Sequence, residues 1–130
     1  MNHIPKIIIK PVMAENQRYF TVGDYTYDAE DDTLTIFISR MDDWRSEMAV
    51  ALHEVFEAVA CIAADVEMKD VDLFDLNFEA NRFPDDLSEP GDNENAPYHK
   101  QHTQATAVEK EACLQLGLPW NAHENNVQEA

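Results

Sequence analysis

The chain has 130 residues, and its 26 Asp and Glu residues against 9 Lys and Arg residues give a formal charge of −17. With 45% apolar residues it can form one hydrophobic core, so we expect a single domain over residues 1–120 and a polar tail over 121–130. No run approaches the roughly 18 to 20 apolar residues that cross a bilayer, and the acidic surface would repel phosphate backbones, which disfavours membrane spans and direct nucleic-acid binding.

The first 40 residues predict a small antiparallel β-sheet. Strands are expected over 6–10, 18–22 and 33–39. The first is β-branched and ends at Pro11, which is typical of an edge strand. In the third, Leu34, Ile36 and Ile38 alternate with polar or outward positions, so one face is buried. The acidic segment 28–32 predicts a hairpin turn, because it lacks the glycine and the terminal Glu of a calcium-binding loop.

Helical periodicity follows over 44–65, 71–80 and 97–116. The first helix should be central and buried, because from Met48 to Ala64 its only polar residues are His53, Glu54 and Glu57. The second lies in the acid-rich segment 65–95. The third is a packed C-terminal helix that ends near residue 116. The sequence therefore predicts an α+β fold.

The central helix carries the first candidate metal ligands. His53 and Glu57 are four residues apart, so they lie on one face and can reach a common point. A buried carboxylate needs a compensating partner, and zinc or another divalent cation would supply one, since imidazole and carboxylate are ordinary ligands. Zinc peptidases with the HExxH motif use the same spacing, with the intervening Glu as general base. Here Glu57 takes the position of the second His.

The last helix offers a second pair. His102 and Glu109 are seven residues apart and share one face, and two helices joined by a long loop commonly pack together. We expect metal ligands at His53, Glu57 and one or both of His102 and Glu109, of which one could instead orient His53 or a water. The alternative is a hydrogen-bonded cluster that only fixes helix packing.

Four pieces of sequence occur in a fixed order: His53 to Glu57, Phe74-Asp75, Pro90-Gly91-Asp92 with Ala96-Pro97-Tyr98, and His102-Ala105-Glu109. In these pieces the chain resembles a group of small, uncharacterised phage- and prophage-type proteins. The strand followed by the HExxE helix is also similar to minimal zincin-like metallopeptidases. That resemblance implies a zincin-like fold, a third ligand from a following helix, peptide as the substrate class, and a catalytic Glu54 that activates water.

The leading hypothesis is thus a metal-dependent hydrolase with a peptide or protein substrate. One alternative is an acidic interaction or inhibitor protein, whose segment 65–95 mimics DNA charge on a basic host protein. Another is a non-catalytic module stabilised by the same metal ligands. A cytoplasmic location is expected, in the bacterial host if the chain is phage-encoded, because Cys61 and Cys113 lie in apolar patterns and no export signal is evident.

Overall fold

The computed structural model describes residues 3–130, and it has the α+β order expected from the sequence. The strands are β1 (Lys6–Val12), β2 (Gly23–Asp28) and β3 (Thr33–Ser39). The helices are α1 (Trp44–Ala63), α2 (Met68–Ala80), α3 (His99–Gln115) and α4 (Trp120–Glu129), with short 3-10 helices at Ala14–Asn16 and Pro90–Asp92. Within the described range, none of these helices has the length and apolar character needed to cross a membrane.

The sheet is mixed rather than wholly antiparallel. Its order is β1-β3-β2, because β3 pairs with both of the other strands. β2 runs antiparallel to β3 around the acidic turn, as expected, whereas β1 runs parallel to β3 with Ile7 opposite Leu34. The pairing of β1 is a contact between distant parts of the chain, which local alternation does not specify. Its place at the edge agrees with the prediction from Pro11.

The segment 18–22, expected as a strand, is irregular, and β2 begins only at Gly23. Its side chains reach across the molecule. The Arg18 guanidinium lies 2.6 Å from Asp24 and 3.0 Å from Asp72, and the Tyr19 hydroxyl donates to Asp75 at 2.8 Å. These contacts tie the segment to α2 and form one wall of the cleft described below.

Helix α1 is the central element and begins where the sequence predicts. The Oδ1 atom of Asp43 caps it by accepting the backbone N–H of Arg45 at 2.9 Å. The helix packs on β2 and β3 and along α3. Burial on every side was the expectation, but one face remains exposed to solvent, with the side chains of Trp44, Met48 and Leu52.

Residues 121–129 lie in helix α4, whereas the sequence predicts a frayed polar tail over 121–130. Within α4 the side chain of His123 is 1% exposed, and Val127 packs against the main core. Buried or packed positions recur at Trp120, His123 and Val127, which is helical spacing. The prediction was wrong because local sequence does not distinguish a buried histidine that has hydrogen-bond partners from a histidine in solvent.

Candidate metal centre

Two helices bring imidazole and carboxylate groups together in the interior. Helix α1 supplies His53 and Glu57, and α3 supplies His102. The Oε2 atom of Glu57 lies 3.0 Å from Nε2 of His53 and 2.9 Å from Nδ1 of His102. All three residues are buried, and the two imidazole rings are 4.8 Å apart between centroids. Three of the four residues predicted as ligands therefore converge on one point.

Glu109, the fourth predicted ligand, lies on the other side of the His53 ring. Its Oε1 atom is 2.8 Å from Nδ1 of His53, but the angle between the two groups does not allow a hydrogen bond. That nitrogen therefore has a charged neighbour and no hydrogen-bond partner. The Nε2 atom of the same ring faces Glu57.

The loop before α3 adds two carboxylates that the sequence did not indicate as ligands. The Nε2 atom of His102 lies 3.2 Å from Oε2 of Glu89 and 3.1 Å from Oδ1 of Asp92. One ligand atom each from His53, Glu89 and His102 lie within 4.8 Å of one another. Glu89 and Asp92 are exposed, so the cluster is closed on the α1 side and open on the loop side.

Gly91 allows this loop to pass directly over His102. A Cβ atom at position 91 would lie 2.4 Å from Cγ and 2.5 Å from Nδ1 of the His102 ring. The loop is held in place because His99 contacts the Gly91 carbonyl oxygen through Nδ1 at 2.9 Å. His99 thus supports the loop and is not a member of the cluster.

Neighbouring charges set the protonation of the cluster. Burial alone would lower the pKa of His53, but Glu109 and Glu57 outweigh it and raise that pKa to about 10. For His102 burial is likewise outweighed, by Asp92 and Glu57, and the pKa rises to about 12. Burial would raise the pKa of Glu109, but its histidine partners lower it to about 2. A cation that enters the cluster must therefore displace protons from the imidazoles.

A cleft of about 160 Å³ opens beside the cluster, and His53, His102 and Glu54 line it. Glu54, the predicted general base, faces β2, since a Cβ atom at Gly23 would lie 2.6 Å from its Oε1 atom. Burial, followed by the charge of Glu57, raises the pKa of Glu54 well above its usual range.

Asp75, a member of the Phe74-Asp75 piece, is another buried carboxylate in the cleft. Hydroxyl groups of Tyr19, at 2.8 Å, and of Tyr98 donate to its two oxygens. Burial nevertheless raises the pKa of Asp75 to about 6, because these two bonds only partly offset the loss of solvent.

The donor set at the cluster fits a divalent cation of the zinc type. A tetrahedral ion about 2.1 Å from each donor spaces the donors roughly 3.4 Å apart, so the N–O separations need only open by a few tenths of an ångström. One observation agrees with a ligand here: Gly91 leaves the approach to His102 free of a side chain.

Comparisons with known proteins identify no relative of the chain. No protein-family model, no curated protein and no solved structure matches the chain. The resemblance to phage-type and zincin-like proteins therefore remains a prediction from its motif residues.

Proposed function

We propose that the chain binds a divalent cation, with zinc as the first candidate, and that it is a metal-dependent hydrolase of peptides or proteins. The convergence of His53, His102 and Glu57 within 3.0 Å contacts is the observation that carries the proposal. Glu89 supports it as an exposed fourth group beside the same imidazoles, which a substrate can displace.

The chain's own residues have separate tasks in this hypothesis. His53, His102 and Glu57 hold the ion, and Glu109 orients His53 by facing its Nδ1 atom. Bound zinc supplies Lewis acidity towards a carbonyl oxygen. Glu54 lines the adjoining cleft, where it accepts a proton from water.

The finer assignments belong to the same proposal. A zincin-like fold of phage type is supported by the HExxE helix after a strand and by a ligand from a following helix. A cytoplasmic location is supported by Cys61 and Cys113, which are both buried and free thiols.

A metal-stabilised module without catalysis is the second candidate. It uses the same ligands, and the position of Glu89 favours it, because one ligand atom each of His53, Glu89 and His102 lie within 4.8 Å of one another and Glu89 would complete a closed four-ligand site. The two candidates differ in whether a substrate can displace Glu89 from the ion.

Zinc titration of the metal-free chain by calorimetry tests the site. We expect one ion per chain and loss of binding in His53→Ala and His102→Ala. The matched control is His3→Ala, because His3 also contacts a carboxylate, Asp32 at 2.6 Å, but is exposed and lies outside the cluster. A wild-type chain that binds no zinc, or variants that all bind equally, would contradict the proposal.

Peptide cleavage by the zinc-loaded chain then separates the two candidates. With a mixed peptide substrate, we expect Glu54→Gln to lower cleavage by about 10²- to 10⁴-fold while zinc affinity is kept. Zinc binding without any cleavage of the mixture would favour the non-catalytic module.

A further inference from the structure

Helix α4 contributes a buried histidine next to the candidate metal centre. His123 is 1% exposed, and its Nε2 atom lies 2.5 Å from Oε2 of Glu109 on α3. Its Nδ1 atom lies 2.9 Å from Oγ of Ser46 on α1, which also accepts a hydrogen bond from the Asn126 side chain at 2.9 Å. A carboxylate only accepts, so Nε2 of His123 is the donor to Glu109.

Glu109 thereby joins two imidazoles. Its Oε2 atom is held by His123, and its Oε1 atom is the one that faces Nδ1 of His53 at 2.8 Å. A Glu side chain has several rotatable bonds, and a second partner on the opposite oxygen restricts them. The direction in which Glu109 presents Oε1 to His53 therefore depends on His123.

The set Ser46, His123 and Glu109 has the composition of a hydrolytic triad, but it lacks the access that a nucleophile requires. Ser46 is 0% exposed and lies under α4. The arrangement is thus suited to holding Glu109 rather than to attacking a substrate.

We propose that His123 is a positioning residue of the metal centre: it fixes Glu109, and Glu109 orients His53 so that Nε2 is presented to the ion. This inference rests on the proposed function and extends the site to α4. Outer groups that orient metal-ligating histidines commonly change metal affinity by 10- to 100-fold, so its effect is measurable.

Four full-length chains test this inference: wild type, His123→Ala, His123→Gln and Val127→Ala. Glutamine retains an N–H donor near Glu109, whereas alanine removes it. Val127→Ala is the matched control, because Val127 packs α4 against the core and its replacement leaves the donor in place. Loss of helix packing alone would therefore appear in this control as well.

Two readouts are compared. In competition titrations, zinc affinity should fall by about 10- to 100-fold in His123→Ala and return to within about threefold of wild type in His123→Gln and in Val127→Ala. In metal-free protein, the ¹⁵N NMR signals of the His53 ring should shift in His123→Ala and recover in His123→Gln.

The inference is overturned if His123→Ala binds zinc like wild type, if it does not differ from Val127→Ala, or if the His53 signals do not move. A wild-type chain without zinc uptake refutes the proposed function instead. In that case the NMR comparison alone decides whether His123 positions His53.

Discussion

Replacement of Gly91 by alanine should displace the His102 ring and weaken metal binding. The new Cβ atom would lie 2.4 Å from Cγ of His102, whereas non-bonded carbon atoms normally approach to about 3.5 Å. The overlap exceeds 1 Å, and the contact between His99 and the Gly91 carbonyl resists a shift of the loop. Overpacking of this kind costs about 1–3 kcal/mol. If this strain acts on the zinc-bound state and not on the metal-free state, zinc affinity falls by about 5- to 150-fold.

The assay is a zinc titration combined with urea unfolding of the metal-free chain. Gly117→Ala is the matched control, because Gly117 has a φ of 73° and a Cβ atom there would have no neighbour within 4 Å. We expect Gly117→Ala to lose about 1 kcal/mol of unfolding free energy from backbone strain, with unchanged zinc affinity. Wild-type zinc affinity in Gly91→Ala would refute the assignment of His102 to the site.

Three further predictions concern the cleft and the ion. Because the pKa of Asp75 is about 6 in the folded chain against 3.8 normally, the folded state binds the proton more tightly, and stability falls as pH rises between these values. Asp75→Asn should therefore stabilise the chain at pH 7 by at most about 3 kcal/mol and flatten the unfolding free energy between pH 4 and 6; an unchanged pH profile in urea unfolding would contradict this. Gly23→Ala would place a Cβ atom 2.6 Å from Oε1 of Glu54, so peptide cleavage should fall at least about tenfold with zinc affinity preserved, and equal loss of both would argue against a separate role for Glu54. Removal of zinc by a chelator should lower the unfolding free energy by about 2.7 kcal/mol relative to zinc at 100 times its Kd, and a His53→Ala chain should show no such difference.

Local sequence patterns predicted most elements of the fold. The alternation of Leu34, Ile36 and Ile38 located β3, and the apolar stretch around His53 located α1. The parallel pairing of β1 could not be predicted, because it depends on where the β2–β3 hairpin docks. The segment 18–22 has strand-like residues, but the ion pairs of Arg18 with Asp24 and with Asp72 on α2 hold it in another conformation.

For the candidate site, spacing along a helix predicted which residues share a face, whereas the sequence of the loop did not predict its path. The four-residue interval placed His53 and Glu57 on one face, and the packing of α1 along α3 brings Glu57 into contact with His102. Glu89 lies in a loop whose path is set by Gly91 passing over His102, and no periodicity encodes that path.

His123 could have been suspected only from its spacing to Trp120 and Val127, which marks it as inward-facing. The composition of α4 instead indicated an exposed segment, because its other residues are rich in Asn and Glu. Glu109, which accepts the hydrogen bond of the buried His123 ring, lies in another helix. A polar residue that is satisfied by a distant partner cannot be distinguished from a solvated one by local sequence.

X-ray absorption spectroscopy of the zinc-loaded chain tests whether His53, His102 and Glu57 bind the ion, because it reports the ligand atoms around zinc. We expect two imidazole nitrogens with carboxylate oxygen at about 2.0–2.2 Å in wild type, and no spectrum of protein-bound zinc in His102→Ala, which does not hold the ion. A shell of oxygen ligands only, or a spectrum that is the same in wild type and His102→Ala, would contradict this expectation.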